Sequence, residues 1–407
     1  MINITKYSIN KQKFYKGKFT YRERALLKGL NKEKKAILFL EDDSIFYGRS
    51  FGYPCETSGE VVFNTGMVGY PESLTDPSYH GQILVQTYPL IGNYGIPAKL
   101  TNTFGIPIHF ESDKIQVKAY IVSEFSENPS HWCYEKTLNQ WLIEQKIPGL
   151  YGIDTRELTK RLRVKGVMLG VLKTYENEEK IEIEELKEKI KNVENPNDRN
   201  LVECVSTSKP IFYESGNSPL VAVIDCGVKF GILRCLLNKD LNVIRIPFNY
   251  PVDKILGLNP RGVVISNGPG DPKKCTQTIN TLKKLLEADI PMLGICYGVQ
   301  LLALAAGADT YKLKFGHRGQ NHPCTDITTK KCYITSQNHG YAVSSESLEK
   351  TDFEVYFVNV NDKTVEGIKH KKKKIFGIQF HPEASPGPYE TEFLFDKFVA
   401  DVKKCQN

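Results

Sequence analysis

The chain has 407 residues, of which 41% are hydrophobic and 25% charged, a composition typical of folded proteins with room for two domains. No apolar run approaches the roughly 18 residues of a membrane-spanning helix, and no charged-then-apolar signal peptide opens the chain. The net charge of +7 comes from residues 1–35, which hold 11 Lys and Arg against 2 acids. Because the remaining chain is nearly neutral, the sequence predicts neither a nucleic-acid nor a membrane partner.

Ten cysteines are scattered along the chain without C-x-x-C pairs and without the Cys/His spacing of metal sites. This pattern predicts free thiols in a reducing compartment, and it predicts neither a disulfide framework nor a metal site.

Residues 1–35 are rich in Lys, Tyr, Asn and Phe, which predicts a basic flexible arm. A cleaved organelle-import peptide is the alternative, although only three serines or threonines precede residue 30. We therefore expect a cytoplasmic protein, with the stroma of a plastid or another organelle as the alternative.

A first domain is predicted for residues 36–205, where strand patterns alternate with turns rich in Gly and Pro. Its first strand pattern is 35–40, and its return strand begins at Ile45. Ser78 follows Asp-Pro, a turn context that often presents a hydroxyl or a backbone group outward. A role as an ordinary turn residue is the alternative for Ser78.

Residues 206–219, with Ser, Pro, Gly and Asn, are predicted to be a linker. Beyond it, strand patterns alternate with helical patterns through residues 220–405. Such alternation predicts a doubly wound α/β domain built on a parallel sheet, in which sites lie at the carboxyl ends of the strands.

The stretch Gly294-Ile-Cys296-Tyr-Gly298 joins an apolar strand pattern to a helical pattern. This G-x-C-x-G spacing is the cysteine version of the nucleophile elbow, in which a sharp turn exposes one side chain. The flanking glycines permit the tight turn, and the helix N-terminus favours thiolate over thiol. A buried cysteine in an ordinary strand-to-helix turn is the alternative.

A cysteine nucleophile needs a general base and a group that orients it. Another apolar strand pattern ends at His381, with Pro382 stopping it and Glu383 following. In a turn, this spacing lets the Glu383 carboxylate reach the far ring nitrogen of His381 and favour imidazolium beside thiolate. Cys296, His381 and Glu383 are therefore the predicted catalytic residues.

These two motifs together are typical of class I glutamine amidotransferases. Further motifs make the chain resemble the family of carbamoyl-phosphate synthase small chains, from about residue 36 to the C-terminus. They are Val62-Phe-Asn-Thr65, Gly69-Tyr70, Leu74-Thr-Asp-Pro-Ser-Tyr79, Tyr88-Pro89, Ile91-Gly-Asn93, Phe315-Gly-His-Arg-Gly-Gln-Asn-His-Pro323, Gln337-Asn-His-Gly340 and His381-Pro-Glu-Ala-Ser-Pro-Gly-Pro388.

The resemblance implies an N-terminal mixed α/β domain that packs against a large synthetase subunit, followed by a flavodoxin-like glutaminase domain. It implies that L-glutamine is contacted by Ser78, Gly268, Gly270, Tyr297, Gln300, Asn338, Gly340 and Tyr341. Backbone N–H groups of Gly268 and Tyr297 would form the oxyanion hole. The Gln300 side chain, one turn beyond the elbow, would bind the α-amino and α-carboxylate groups of glutamine.

The sequence departs from the family at two positions. Val299 stands where His is frequent, and Tyr297 stands where Leu is usual. Because the predicted oxyanion donor at Tyr297 is a backbone group, its side chain should matter little. Val299 leaves the predicted triad intact but puts the polarity near the elbow in doubt.

The resemblance implies a glutaminase that releases ammonia for a large subunit, which makes carbamoyl phosphate from bicarbonate and ATP for pyrimidine or arginine biosynthesis, or both. No cofactor is expected on this chain, since it carries no G-x-x-x-x-G-K-[ST] motif. ATP, Mg²⁺ and bicarbonate would be used by the partner. The alternatives are a non-catalytic docking subunit of an ammonia-dependent synthase, and a cysteine peptidase or different amidotransferase.

Overall fold

The computed structural model describes residues 34–176 and 181–404, so most of the predicted arm, residues 1–35, lies outside the described residues. Lys35, the last residue of that predicted arm, already pairs with Tyr175 at the start of a strand. Among the described residues, none of the helices is both long and apolar enough to cross a membrane.

The strands before residue 206 are β1 (Lys35–Leu40), β2 (Ile45–Gly52), β3 (Thr57–Asn64), β4 (Gln82–Gln86), β5 (Leu90–Ile91), β6 (Ile96–Pro97), β7 (Ala119–Ile121), β8 (Glu124–Phe125), β9 (Tyr134–Lys136), β10 (Pro148–Tyr151) and β11 (Met168–Tyr175). The helices of this part are α1 (Tyr70–Thr75), α2 (Leu138–Glu144), α3 (Thr155–Lys165) and α4 (Ile183–Lys191). A short 3₁₀-helix, Pro77–Tyr79, carries Ser78.

Seven of these strands close a barrel in the order β1-β11-β3-β4-β7-β10-β2. Side chains of successive residues point to opposite faces of a strand, so each strand supplies two apolar sets. Val61 and Ile83 belong to the cluster that the strands share inside the barrel. Val62 and Leu84 belong to a second cluster, with side chains of α1 and α2. The predicted mixed α/β first domain is thus confirmed.

The remaining strands are β12 (Ile211–Tyr213), β13 (Leu220–Asp225), β14 (Asn242–Pro247), β15 (Gly262–Ile265), β16 (Met292–Ile295), β17 (Thr310–Asp326), β18 (Cys332–Val343), β19 (Phe353–Asn359), β20 (Val365–His370) and β21 (Ile375–Ile378). The helices are α5 (Phe230–Leu237), α6 (Val252–Gly257), α7 (Thr276–Leu285), α8 (Tyr297–Ala305), α9 (Ser345–Leu348) and α10 (Phe393–Lys404).

These strands form one ten-stranded sheet, whose parallel centre has the order β14-β13-β15-β16-β21. That is the flavodoxin-like order of a doubly wound sheet, as predicted. Residues of β13 alternate between its two faces: Val221 and Val223 pack with α5, while Ala222 and Ile224 pack with α7 and α8. Both faces of the parallel centre are therefore covered by helices.

The predicted linker, residues 206–219, is not free of regular structure. Its residues Ile211–Tyr213 form β12, which pairs antiparallel with β14 at the edge of the sheet. Short linker-like sequences rich in Ser, Pro and Gly give no local signal for an edge strand of three residues.

The carboxyl ends of the parallel strands meet at one edge of the sheet. Cys296 follows β16 there, Asn267 follows β15, and His381 comes three residues after β21. The long hairpin of β17 and β18 adds Arg318 opposite Asn338. The fold thereby gathers segments that are far apart in sequence.

Candidate active site

Cys296 lies at the turn between β16 and α8, with φ 54° and ψ −104°. A positive φ is costly for a residue with a Cβ, and it is held here by a 2.7 Å hydrogen bond from the Cys296 N–H to the Ile378 carbonyl. The thiol is buried, and its Sγ donates to the Asn338 carbonyl at 3.6 Å. This is the strand-to-helix geometry of a nucleophile elbow.

The glycines of the elbow are required by close packing. A Cβ at Gly298 would collide with the carbonyl of Ile265 on the neighbouring strand. A Cβ at Gly294 would lie 2.7 Å from the Gly298 carbonyl oxygen, whereas real Cβ atoms essentially never approach within 3.0 Å. The G-x-C-x-G spacing therefore allows α8 to start directly against the sheet.

The imidazole of His381 is buried at the same edge of the sheet, and its Nδ1 lies 2.6 Å from Glu383 Oε1. The N–H of His381 donates to the Ser336 carbonyl at 2.9 Å, which holds the backbone of this segment against β18. His381 Nε2 accepts no hydrogen bond of ordinary geometry from the described residues, and Cys296 is among the groups that raise the pKa of His381, so the imidazole lies within electrostatic reach of the thiol.

Lys229 is a buried cation that the sequence analysis did not identify. It immediately precedes α5, its Nζ lies 3.0 Å from Glu383 Oε1, and it donates to the Ala384 carbonyl at 3.3 Å. The same carboxylate oxygen thus accepts from the histidine and from the lysine. Its only sequence signal is its position in the turn after β13, at the edge of the sheet where the site lies.

These contacts set the charges of the site. Burial by itself lowers the pKa of His381, but the Glu383 carboxylate and Cys296 together outweigh it and raise that pKa above its ordinary value. Burial by itself raises the pKa of Glu383, but Lys229 and His381 outweigh it and hold the carboxyl pKa below its usual range. The arrangement favours an ionised Glu383 beside a protonated histidine.

Ser78 enters the site from the first domain. Its Oγ accepts from Asn267 Nδ2 at 3.0 Å, and its N–H donates to Asp76 Oδ1 at 2.9 Å. Asp76 Oδ2 also accepts from Asn338 Nδ2 at 2.8 Å. The Ser78 turn is therefore hydrogen-bonded to two segments of the second domain.

Gln300 lies one turn into α8, and its Nε2 donates to the Tyr341 carbonyl at 2.9 Å and to Gln379 Oε1 at 3.0 Å. Gln379 in turn donates to Cys296 Sγ at 3.6 Å. Gln379 was missed by the sequence analysis, since a polar residue at a strand end carries no motif of its own. Gln300 is thereby fixed between the elbow and the end of β18.

A pocket opens beside the Cys296 thiol, between the barrel and the edge of the sheet. All eight residues predicted to contact glutamine line it: Ser78, Gly268, Gly270, Tyr297, Gln300, Asn338, Gly340 and Tyr341. His381 and Glu383 do not line this pocket, and His381 instead lines a neighbouring cavity that shares Asn338 with it. The structure thus gathers the predicted nucleophile and substrate residues around one pocket, with the base behind it.

Comparison with known proteins shows the family to which the chain belongs. The family model for the carbamoyl-phosphate synthase small chain, CPSase domain, matches residues 38–172, and the class I glutamine amidotransferase model matches residues 222–400. The carbamoyl phosphate synthase small chain of Pyrococcus furiosus is 48% identical over 90% of this chain and 97% of that protein. The chain belongs to the carbamoyl-phosphate synthase small chain family. The predictions of family and of a glutamine-hydrolysing amidotransferase are confirmed.

Other members of this family differ in how the small chain is built into a protein. An arginine-specific small chain of Chaetomium globosum is 45% identical over 90% of this chain and 78% of that protein. The multifunctional protein CAD of Squalus acanthias is 49% identical over 90% of this chain, which spans only 16% of that protein. The same unit therefore occurs both as a separate small chain and as a part of a longer protein.

Tyr297 and Val299, the two departures from the family pattern, are both buried. Val299 is buried in the apolar cluster between the sheet and α8, and its side chain lies against Gly377 of β21. It leaves the contacts between His381 and Glu383 untouched. The Tyr297 ring is buried, and its hydroxyl donates to the Asp271 carbonyl at 3.3 Å, so it also tethers the loop that carries Gly268 and Gly270.

A buried histidine cluster adjoins the pocket, which one of its members, His339, helps to line. His317, His339 and Glu366 place one ligand atom each within 4.8 Å of one another, the only such group of three among the described residues. His317, however, bridges Glu366 at 3.2 Å and Asp362 at 2.7 Å, and these carboxylates raise its pKa although burial alone would lower it. These hydrogen bonds join His317 of β17 to Glu366 of β20, and Glu366 also accepts from Gln337 of β18, so the cluster supports the hairpin of β17 and β18.

The described part of the chain contains nine cysteines, and all nine are free. Cys296 differs from the other buried cysteines in standing at the pocket, beside His381, in a strained turn. Position in the fold, and not burial alone, separates the nucleophile from the structural thiols.

Proposed function

We propose that this chain hydrolyses L-glutamine to glutamate and ammonia, and that the ammonia passes to a large synthetase subunit. In this proposal the thiol proton of Cys296 is transferred to His381 Nε2, which gives the thiolate–imidazolium pair that Glu383 favours, and Cys296 Sγ then attacks the γ-carboxamide carbon. The N–H groups of Gly268 and Tyr297 stabilise the negative oxygen of the tetrahedral intermediate.

The intermediate collapses as the carbon–nitrogen bond breaks and His381 returns its proton to the leaving nitrogen, so that ammonia departs. A γ-glutamyl thioester remains on Cys296. A water molecule then gives a proton to His381 and adds to the thioester carbon, which releases glutamate and the free thiol. Glu383 stabilises the imidazolium at both stages.

The observation that supports this proposal most directly is the geometry around Cys296. A strained, buried thiol stands at a pocket lined by polar groups, and the imidazole behind it is held by a carboxylate at 2.6 Å. A decayed docking subunit would have no need for the buried Lys229 and Glu383 charges, because each costs free energy to bury.

The partner in this proposal is the carbamoyl-phosphate synthase large subunit, which makes carbamoyl phosphate from bicarbonate and ATP. ATP, Mg²⁺ and bicarbonate act on that subunit, and this chain needs no cofactor of its own. The product would feed pyrimidine biosynthesis, arginine biosynthesis or both. We place the complex in the cytoplasm, with a plastid or other organelle stroma as the alternative, which sequencing of the mature N-terminus would decide.

The test is the variant Cys296→Ser, assayed in complex with the large subunit. Glutamine-dependent carbamoyl-phosphate synthesis should be abolished, because a serine hydroxyl cannot replace the thiolate. Synthesis from added ammonia should stay within about twofold of wild type, since that chemistry lies on the partner. An equal loss of both activities would contradict the division of labour. Failure of the wild type to release glutamate in a burst stoichiometric with enzyme would instead favour a docking subunit.

A further inference from the structure

Arg318 is a buried cation inside the pocket that no part of the predicted site includes. It lies on β17, is 4% exposed, and lines the pocket together with Cys296. Its Nη1 donates to the Phe315 carbonyl at 2.7 Å, while its buried Nε has no partner. None of the carboxylates in the described part of the chain forms an ion pair with this guanidinium.

A second cation at the same pocket shows the contrast. Lys312 Nζ pairs with Glu60 Oε1 at 2.6 Å, and Glu60 also accepts from Gln82 and Asn197. The pocket therefore gives its lysine a direct ion pair and leaves its arginine without one among the described residues. Because a buried charge without a counter-charge is costly, an uncompensated guanidinium in a ligand pocket points to an anionic group on the ligand.

The position of the guanidinium matches the substrate site. A Cβ placed on Gly340 would lie 3.3 Å from Arg318 Nη2, so this predicted glutamine contact borders the guanidinium directly. Burial lowers the pKa of Arg318, and the nearby Tyr79, Glu60 and Cys296 act in the opposite direction. Arginine keeps its proton in such surroundings, so the group stays a cation.

L-Glutamine reaches the pocket as a zwitterion with one carboxylate, on its α-carbon. We infer that Arg318 binds the α-carboxylate of L-glutamine and selects substrates that carry it, an assignment that rests on the proposed function. The planar guanidinium offers several N–H donors in a fixed geometry that suits a carboxylate. The γ-carboxamide is thereby directed to Cys296, because the opposite end of the substrate is anchored.

The test compares substrates that differ only in this group. Arg318→Met, Arg318→Lys and the wild type are assayed in complex with the large subunit, with L-glutamine and with 4-aminobutanamide, which lacks the carboxylate. Arg318→Met should lower kcat/KM for L-glutamine about 10²-fold, mainly by raising KM. The same substitution should change kcat/KM for 4-aminobutanamide less than about threefold. Arg318→Lys should recover part of the loss, since it keeps the charge.

The control is Lys314→Met, which removes an exposed charge from the same strand and should leave both substrates unaffected. An equal loss for both substrates would overturn the inference and make Arg318 a support for the thiolate or the fold. Unchanged kinetics of Arg318→Met would overturn it as well. If Arg318→Met does not fold, the same substrate comparison with Arg318→Lys decides. A wild type that hydrolyses neither substrate would refute the proposed function itself.

Discussion

The nucleophile is supported by a chain of buried charges. Lys229, Glu383 and His381 lie in a row, joined through one carboxylate oxygen at 3.0 Å and 2.6 Å. A lysine on the far side of Glu383 keeps that acid ionised, which in turn favours the imidazolium that forms when Cys296 loses its proton. Without Lys229, the Glu383–His381 pair would bear the full free-energy cost of burying a carboxylate.

Replacing His381 should disable hydrolysis more than replacing Glu383. His381→Asn should lower the glutaminase kcat by roughly 10²–10⁴, the range for a general acid–base, because no other group can carry the proton. Glu383→Gln should cost less, since the imidazole keeps a hydrogen bond and only the charge is lost. Steady-state glutamate release measures both.

The matched control is His370→Asn, at a turn where the ring accepts backbone N–H groups of Lys372 and Lys373, away from the pocket. It should leave the rate unchanged. A silent His381→Asn combined with a severe His339→Asn would mean that the base has been misassigned, because His339 also lines the pocket.

The sequence predicts roles for residues that stand in motifs, and it gives no prediction for residues whose surroundings depend on distant neighbours. Cys296 and the His381–Glu383 pair have spacings that their chemistry requires. Lys229 and Arg318 are ordinary basic residues until the fold buries them. Their surroundings come from pairings such as Arg318 with Asn338, which no local pattern predicts.

At the scale of elements, the start of α5 is held by the first domain. Glu111 is fully buried; its Oε1 pairs with Arg234 at 2.6 Å, and its Oε2 accepts the Gly231 N–H at 2.8 Å. A Cβ on Gly231 would lie 3.0 Å from Glu111 on one side and 3.0 Å from Glu383 on the other. The segment that carries Lys229 is thus clamped between an acid of each domain.

Glu111→Gln should weaken both the domain contact and the site. Arg234 would lose its counter-charge, which should lower the free energy of unfolding by about 3 kcal/mol, measured by urea denaturation. A shift of Lys229 away from Glu383 should lower the glutaminase kcat by about 10- to 10²-fold with KM little changed.

The control is Asp113→Asn on the same loop. Asp113 forms an exposed ion pair with Lys99 at 3.2 Å, and its loss should lower the free energy of unfolding by less than about 1 kcal/mol. Loss of stability in Glu111→Gln without loss of kcat would show that the clamp serves the fold alone.

The elements with a strong local pattern were predicted closely. The strand predicted at residues 35–40 coincides with β1. The pattern after the next strand also predicts a helix near residues 230–237, and this helix coincides with α5. Residues 131–145 have helical periodicity, which predicts a helix over that range. This prediction is wrong at its start, because β9 intervenes and α2 begins only at Leu138, after the Thr137 cap. Closure of the barrel was not predicted, since it depends on β2 pairing with β10 across about a hundred residues.

At the scale of the whole molecule, substrate binding depends on how the two domains are arranged. The pocket takes Ser78 and Glu60 from the barrel domain and Cys296 from the other domain. Asp76 links the two through its hydrogen bond to Asn338. A small rotation between the domains would move these groups relative to the thiol, so a partner bound to either domain can change the rate of hydrolysis.

The isolated chain should therefore turn over glutamine slowly and accelerate when the large subunit, ATP and bicarbonate are present. Ammonia released into water at neutral pH becomes protonated and is no longer a nucleophile, so early release would waste it. Movement of the Gly268 and Tyr297 oxyanion donors is the expected route, since such donors alter rates by roughly 10²–10³.

The measurement is steady-state glutamate release by the small chain alone, with the large subunit, and with the large subunit plus nucleotide. The large subunit without nucleotide is the control for simple stabilisation of the small chain. Equal rates under all three conditions would leave an independent glutaminase and remove the coupling.

Because residues of both domains line the pocket, the site is complete only when the two domains stay together. A glutaminase domain that carried its whole substrate site could be exchanged between synthases as a finished module. Here the site loses Ser78, Asp76 and the Glu111 clamp if residues 34–205 are replaced by unrelated sequence. A recombination event between the two domains would therefore separate the pocket from Ser78 and from the supporting contacts of Asp76 and Glu111.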